Sequence, residues 1–509
     1  MSPLEPEDFL CLSDLGNAKR LVKQYGDQIK FLSEWKCWIH WDGKRWVRDD
    51  CGAVQRMARE VIAKLLREAK QLPNVYLQEE QTKFAIKSQS ARSLEAMVKL
   101  AQAEEGMTLK QDALDADPWR LNVEDGVVDL ESGELIAHGP ECFMSKMAKV
   151  QFDPDSECPQ WRAFLLQIFD NNQRLVDFIQ RSVGYSLAGV PSEQVLYLMH
   201  GNGANGKSTF LNVLRHLFGD YASQAEFTTF TDKRSGQVRD DLAKLRGARL
   251  VLASEIDCGA RLSESLVKQI TGGDSLSVRE LYGKYFEFTP QFTVWLAANT
   301  QPDIRGADYG IWRRIKMIPF KVTFSAEEQD RDLQNKLLAE GPGILNWMLE
   351  GCLSWQKVGL MSPPEVEAAT QEYRADVDRL AGFFEDCCVV HPLERVSAVI
   401  AYKHYQQWCE TNGVNPFSNT FFGKMLKERG YEKRRSQANG GTEWHGFTLN
   451  GMASKASTEA TEHKKPITNS NCIPLTEPTY PKDTSVPLSD PFEDDDDLQL
   501  PPGFAEVVL

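Results

Sequence analysis

Apolar and polar residues alternate along residues 37–47 on both sides of an Asp42-Gly43 turn, and this alternation predicts a β-hairpin. Apolar residues then recur at helical spacing from Val54 to Ala69, and a second helical pattern covers residues 91–101. Another small hairpin is expected over residues 126–133. We therefore predict an α+β domain at the start of the chain, over residues 1–150.

The middle of the chain begins with two amphipathic patterns, whose apolar stripes start at Trp161 and at Leu175. They predict two helices, which form a helical collar ahead of the next domain. Short apolar runs follow, and they have the length of buried strands rather than of helices. The predicted strands cover residues 195–199, 249–255 and 292–298, in an α/β core over residues 191–330 that lies between the collar at 151–190 and a helical extension at 331–390.

Residues 391–450 have the pattern of a separate small domain. One helix carries Ala401, Tyr405 and Trp408, a second carries Phe421 and Phe422, and a hairpin is expected around residues 439–441. This order suits a winged-helix domain. Basic residues outnumber acidic ones in its second half, so contact with DNA is expected there, with a solvated helix face as the alternative. The residues singled out for this contact are Lys433, Arg434 and Arg435.

Composition places the chain among soluble globular proteins: 42% of its 509 residues are hydrophobic, which is enough to fill two to four domain cores. No apolar run reaches the roughly 18 residues of a membrane span, and the first ten residues lack the features of an export signal, so a cytoplasmic protein without membrane contact is expected. The eleven cysteines have no zinc-type spacing and fit a reducing compartment.

The net charge of −15 argues against nucleic acid at first sight, but much of it comes from the end of the chain. Residues 451–509 contain eleven acidic residues and four lysines, with many Ser, Thr and Pro residues. We expect a disordered acidic tail there. It either solvates the protein or docks on a basic partner.

The strongest chemical signal is the pattern G-x-x-x-x-G-K-S, which lies between a predicted strand and a predicted helix. Such a loop points its backbone N–H groups at phosphates, while the lysine reaches the β and γ oxygens and the serine a Mg²⁺ ion. A glycine-rich turn with an exposed lysine is a poor alternative in this context. We therefore predict a site for ATP and Mg²⁺. Its residues are Gly201, Asn202, Gly203, Ala204, Asn205, Gly206, Lys207, Ser208 and Thr209.

Polar residues at the ends of the other core strands are candidates for the catalytic groups. Glu255 follows one apolar strand as a Walker B acid that polarises water or holds the metal, with Asp257 as the other candidate. We expect this strand to lie beside the strand of the phosphate loop. Asn299 follows the next strand and could sense the γ-phosphate. Arg313 and Arg314 could reach a neighbouring subunit's nucleotide as arginine fingers, with Arg314 preferred.

The pair Asp115 and Asp117 invites comparison with the metal-binding carboxylates of polymerases and primases. Pro118 follows the pair directly, and no third carboxylate or histidine accompanies it. A structural turn is the better interpretation.

Together these motifs resemble the superfamily 3 helicases of the phage and plasmid primase-helicase branch, related to the poxvirus-type helicase-primase. The resemblance covers roughly residues 10–450 and includes the Gly184-Tyr185-Ser186-Leu187 segment and Trp312 with the two arginines. It implies an AAA+-like P-loop NTPase core in a hexameric ring that hydrolyses ATP between subunits and pulls one DNA strand through the centre. Larger members of this family carry a primase domain ahead of this region. We therefore expect this chain to correspond to the helicase part of such proteins and to work with a separate primase.

The pattern of residues 277–287 predicts a hairpin with Gly283 at its tip, and the resemblance implies that this hairpin lies in the pore; an ordinary surface hairpin is the alternative. Arg279, Tyr282 and Lys284 would there grip phosphates and stack on bases, and Lys268 lies in an additional family motif. The sequence departs from the family at Ile256, which separates Glu255 from Asp257 and leaves the general base open between them.

The predicted function is an ATP-dependent DNA helicase or translocase that acts on single-stranded or forked DNA in phage, prophage or plasmid replication. The alternative is a DNA-binding initiator or scaffold in which ATP switches the assembly state. A P-loop kinase is disfavoured, because a monomeric kinase needs neither a pore hairpin nor arginines that act on a neighbour.

Overall fold

In a computed structural model of the chain, the described residues are 11–231, 239–254, 261–279, 283–304, 309–377, 379–435 and 441–452. Glu255, Asp257 and Tyr282, for which we predicted functional roles, lie outside these residues. The part of the predicted acidic tail beyond Met452 lies outside them as well.

The first domain contains a four-stranded sheet, in the order β3-β2-β1-β4, beside a group of helices, and a separate three-stranded sheet. Asp42 accepts hydrogen bonds from the backbone N–H groups of Lys44 (2.8 Å) and Arg45 (2.9 Å), and this closes the predicted hairpin turn between β2 and β3. The predicted helices and hairpins are confirmed. The elements are α1 (Asp14–Tyr25), β1 (Ile29–Leu32), β2 (Cys37–Trp41), β3 (Trp46–Arg48), α2 (Ala53–Ala69), α3 (Val75–Lys87), α4 (Ala91–Ala101), β4 (Thr108–Leu109), β5 (Arg120–Asn122), β6 (Val127–Asp129) and β7 (Leu135–Ile136).

The two aspartates ahead of β5 have structural partners, as predicted. Asp115 accepts hydrogen bonds from the backbone N–H groups of Ser145 (2.8 Å) and Lys146 (3.2 Å). Asp117 accepts one from the N–H of Trp119 at 3.0 Å and pairs with Arg120. Asp117 therefore fixes a local turn, and Asp115 holds the segment at residues 145–146 beside it.

The second region forms a parallel α/β core with two preceding helices, which match the two predicted ones. Trp161 of the first helix stacks on Phe210 of the helix that follows the phosphate loop, with ring centroids 5.6 Å apart, so these helices pack against the core. The elements are α5 (Pro159–Ile168), α6 (Gln173–Leu187), β8 (Leu196–His200), α7 (Lys207–Phe218), β9 (Ala222–Glu226), α8 (Asp240–Ala243), β10 (Leu250–Ser254), α9 (Glu264–Gly272), β11 (Leu276–Arg279), β12 (Tyr285–Phe288), β13 (Thr293–Ala298), α10 (Tyr309–Trp312) and β14 (Ile315–Pro319).

The five strands of the central sheet run parallel in the order β14-β8-β13-β10-β9. Our expectation that β10 lies beside the phosphate-loop strand β8 is therefore wrong, because β13 lies between them. Chain order does not determine which strands pair when helical crossovers connect them. As a result, the residue that follows β13 is the one that comes next to the phosphate loop.

The last region contains helices and a three-stranded antiparallel sheet, in the order β15-β17-β16. Leu380 and Phe383 pack in the same core as Ala401 and Trp444, so this core includes α14 and begins before the expected residue 391. The strand β15 was not predicted. The elements are α11 (Leu333–Ala339), α12 (Gly341–Val358), α13 (Pro364–Val377), α14 (Arg379–Cys387), β15 (Cys388–Ser397), α15 (Ala398–Thr411), α16 (Asn419–Glu428), β16 (Glu432–Arg435) and β17 (Thr442–Leu449).

Candidate functional site

The loop between β8 and α7 has the backbone that its glycines predict. Gly203 and Gly206 have φ angles of +90° and +85°, values that favour glycine. A Cβ atom on Gly201 would lie 2.4 Å from the carbonyl oxygen of Phe320, and one on Gly206 would lie 2.5 Å from Cγ2 of Ile168. The loop therefore needs glycine at 201 and 206 for space, and at 203 and 206 for conformation.

Two polar side chains are buried inside this loop. Lys207 is 5% exposed, and its Nζ donates a hydrogen bond to the carbonyl oxygen of Gly201 at 2.6 Å. Burial disfavours the charged form of Lys207 and lowers the pKa of its ammonium group. An anion bound beside this group would stabilise its charge. Asn205 is 3% exposed, and its Nδ2 has no hydrogen-bond partner in the described part of the chain. A buried amine with one neutral acceptor and an unsatisfied amide suit a phosphate group.

A cleft of about 330 Å³ opens over the loop. Asn299 lines it, and the reason is topological: Ala298 at the end of β13 lies opposite His200 at the end of β8. The side chain of Asn299 is thus at the same edge of the sheet as Lys207, where the sequence placed it. Of the described residues that line this cleft, Lys207 is the one cation.

The two candidate arginines lie at the opposite edge of the sheet, directly before β14. Because β14 runs parallel to β8, its length separates them from the loop by about 16 Å. They are therefore far from the cleft over the glycine loop of the same chain.

Arg313 and Arg314 differ in their surroundings. Arg313 is exposed and donates a hydrogen bond to Oε1 of Gln194 at 2.6 Å. Arg314 is 9% exposed and donates to Oγ1 of Thr271 (3.0 Å), the carbonyl of Gly310 (2.5 Å) and Gln194 (3.3 Å). Arg313 is thus the exposed residue of the two, whereas the sequence analysis preferred Arg314 as the finger.

The predicted hairpin is present as the antiparallel pair β11 and β12. Arg279 lies opposite Tyr285, its guanidinium stands 5.2 Å from the ring centroid, and Tyr285 is 69% exposed. Lys284 is exposed beside it, and Lys268 is half-buried on α9. Tyr285 was missed by the sequence analysis, because a hairpin with its centre at Gly283 would pair Arg279 with Glu287 instead.

The three basic residues of the last domain, Lys433, Arg434 and Arg435, all lie exposed on β16. Lys433 stands 5.6 Å from the ring centroid of Trp444, and Arg434 pairs with Glu432 on the same strand. The structure thus presents these side chains together on one outer strand of the sheet.

A larger cleft, of about 540 Å³, lies away from the phosphate loop, between the first domain and the base of the hairpin. Arg246 spans it. Its guanidinium donates to Oε1 of Gln111 at 2.6 Å, pairs with Asp112, and stands 5.1 Å from the ring centroid of Phe286. This cleft lacks the glycine loop, so size alone does not identify the candidate site.

Comparison with known families matches three parts of the chain. Residues 18–170 match the D5 N-terminal-like family, residues 199–314 match a family of unknown function (DUF5906), and residues 375–456 match the poxvirus D5 protein-like family. Two of these three families are D5 families, and together with the relatives they support a D5-type primase-helicase family member. The resemblance inferred from the motifs is thus confirmed.

The curated relatives are viral. "Putative helicase L207/L206" of Acanthamoeba polyphaga mimivirus is 28% identical over 323 residues, which are 59% of this chain and 34% of that protein. "Putative helicase 022R" of Frog virus 3 is 26% identical over 52% of this chain and 29% of that protein. "Putative primase C962R" of African swine fever virus is 24% identical over 59% of this chain and 34% of that protein. The chain thus spans about a third of the length of these relatives.

Among solved structures, the apo C-terminal region of NrS-1 is 13% identical, with a TM-score of 0.49 over 85% of this chain and 98% of that one. Within the described residues, no helix combines the length and the apolar character needed to cross a membrane.

Proposed function

We propose that the chain is an ATP-dependent DNA helicase or translocase that acts in the replication of viral, phage or plasmid DNA. The observation that carries this proposal is the buried Lys207 at the start of α7, inside a glycine loop that opens on a cleft next to Asn299. The matches to the two D5 families support it. So do the names of the relatives, which are called helicases or primases.

ATP and Mg²⁺ fit the residues of the cleft. Lys207 would exchange its hydrogen bond with Gly201 for the phosphate oxygens, and Asn205 would gain a partner for its buried amide. Ser208 would hold the metal, with Glu255 as the acid and Asp257 as its alternative. Mg²⁺ neutralises phosphate charge when it is bound. Asn299 would orient the attacking water or sense the γ-phosphate.

The position of the arginines favours a site shared between subunits. A cation near the γ-phosphate stabilises the transition state, and Lys207 is the one cation among the described residues of the cleft. Arg313, exposed at the far edge of the sheet, suits a neighbour's cleft in a ring, for which we propose a hexamer. Arg314 would then act by holding the segment before β14 in place.

Two surfaces suit DNA. On the hairpin, Arg279, Lys284 and Tyr285 combine positive charge with an exposed ring, which binds a single strand without reading its sequence. In the last domain, α14, β15, α15, α16, β16 and β17 follow one another in the order helix, strand, helix, helix, strand, strand. We propose a winged-helix domain there, with Lys433 and Arg435 as phosphate contacts.

The test is displacement of a labelled strand from a forked duplex, with Lys207→Ala as the blank. ATP-dependent displacement by the wild-type chain supports the proposal. Stable, ATP-sensitive binding of duplex DNA with no displacement, with or without an added primase, would contradict it and favour the initiator function.

A further inference from the structure

The cleft over the phosphate loop has a second wall, which none of the nucleotide motifs accounts for. It is formed by residues 320–333, which run from the end of β14 to the first residue of α11. Phe324 and Leu333 line the cleft there, both half-buried, together with the exposed side chains of Glu328 and Asp330. Beyond Phe324, this segment has neither the alternation of a strand nor the apolar spacing of a helix.

The segment is fastened to the phosphate loop by its backbone. The N–H of Phe320 donates to the carbonyl of His200, and the N–H of Phe324 donates to the carbonyl of Ala204, both at 2.8 Å. The carbonyl of Phe324 accepts a hydrogen bond from Nε2 of Gln329 at 3.0 Å. These bonds hold the backbone of Phe324 beside Ala204, and its half-buried ring packs against the hydrophobic core.

Side chains of both charges line the cleft. Lys207 and the N-terminus of α7 favour phosphates. Glu328 and Asp330 also line it, and both carboxylates are held by hydrogen bonds, from the N–H of Ser325 at 2.8 Å and from Nζ of Lys336 at 2.6 Å. Carboxylates repel phosphates and suit neutral groups, such as the hydroxyls of a ribose and a base.

We propose that residues 320–333 form the base-binding wall of the nucleotide site, with the ring of Phe324 stacking on the base and Leu333 covering it. This inference rests on the proposed nucleotide site. It assigns the orientation of the nucleotide, with its phosphates at Lys207 and its base at Phe324. A flat base and an aromatic ring stack favourably, and the ring is already positioned before the ligand arrives.

The test compares two ligands that share the phosphates and differ in the base: ATP and inorganic tripolyphosphate, each with Mg²⁺, in equilibrium binding to the full chain. Phe324→Ala is expected to weaken ATP binding about tenfold, as for the loss of one base–aromatic stack, and to leave tripolyphosphate binding unchanged. Phe324→Leu keeps the packing and should weaken ATP binding less. Leu338→Ala is the matched control, because Leu338 is a half-buried residue of α11 that does not line the cleft.

Three outcomes overturn the inference. If Phe324→Ala and Phe324→Leu weaken both ligands equally, the ring only supports the phosphate loop. If both variants bind ATP like the wild type, the base lies elsewhere. If the wild-type chain binds neither ligand, the proposed nucleotide site itself fails, and this result is distinct from the other two.

Discussion

Arg249 is predicted to be costly to replace, although it takes no part in the proposed chemistry. Its side chain is 4% exposed at the start of β10. The guanidinium donates to the carbonyls of Leu187 (2.7 Å), Arg120 (2.7 Å) and Asp117 (3.3 Å), and it stands 4.7 Å from the ring centroid of Tyr221. It therefore joins the end of α6 and the first domain to the central sheet.

Replacing Arg249 with methionine keeps an apolar side chain of similar reach and removes the donors. Each hydrogen bond from a charged group contributes about 1.5–3 kcal/mol, so the two short bonds are worth about 3–6 kcal/mol. Burial lowers the pKa of Arg249, which means that the fold disfavours its charge, and the substitution relieves that cost. We therefore expect the free energy of unfolding to fall by about 3 kcal/mol, near the lower end of this range, and Tm to fall by about 6–12 °C.

The assay is thermal unfolding followed by tryptophan fluorescence, since Trp119 and Trp355 stack near this junction with ring centroids 6.1 Å apart. Arg215→Met is the control, because Arg215 is exposed and makes a hydrogen bond to Gln224 at the surface. Its Tm should change by less than about 2 °C. A Tm for Arg249→Met within about 2 °C of the wild type would refute the reasoning about buried donors.

Further predictions concern the site and its surroundings. Arg313→Ala should abolish ATP hydrolysis and spare ATP binding, and mixing it with Lys207→Ala subunits should restore part of the turnover; no recovery would contradict a shared site. Arg314→Ala should lower Tm through loss of its buried hydrogen bonds, and full hydrolysis by this variant would remove Arg314 as the finger. Lys284→Ala should keep basal hydrolysis and lose its stimulation by single-stranded DNA, and retained stimulation would exclude Lys284 from the pore. Burial lowers the pKa of His200, so as pH falls below about 6.5 the unfolded chain takes up a proton that the folded chain resists. As the pH falls below about 6.5, the Tm of His200→Gln should therefore fall less steeply than the Tm of the wild type. Equal slopes of Tm against pH in the two proteins would contradict this.

Local patterns were sufficient for much of the fold. The helix α4 and the hairpin of β2 and β3 were predicted because each depends on the spacing of neighbouring residues and on one turn. The loop around Lys207 was predicted for the same reason, since strand, glycines and helix follow one another in the chain.

Features that depend on distant residues were not predictable in this way. The insertion of β13 between β8 and β10 follows from how helical crossovers pack on the sheet, which no single segment encodes. The burial of Arg314 depends on Thr271, which is distant in the chain. Phe324 was overlooked because the segment around it has no regular pattern, and its place in the cleft comes from its backbone hydrogen bond to Ala204.

The central claim is that nucleotide turnover in the cleft of Lys207 is coupled to DNA. The most direct measurement is the rate of ATP hydrolysis by the wild-type chain with and without single-stranded DNA, with Lys207→Ala as the blank. The account predicts turnover that rises with DNA and is absent in the variant. Hydrolysis that persists in Lys207→Ala, or that does not respond to DNA, would contradict it.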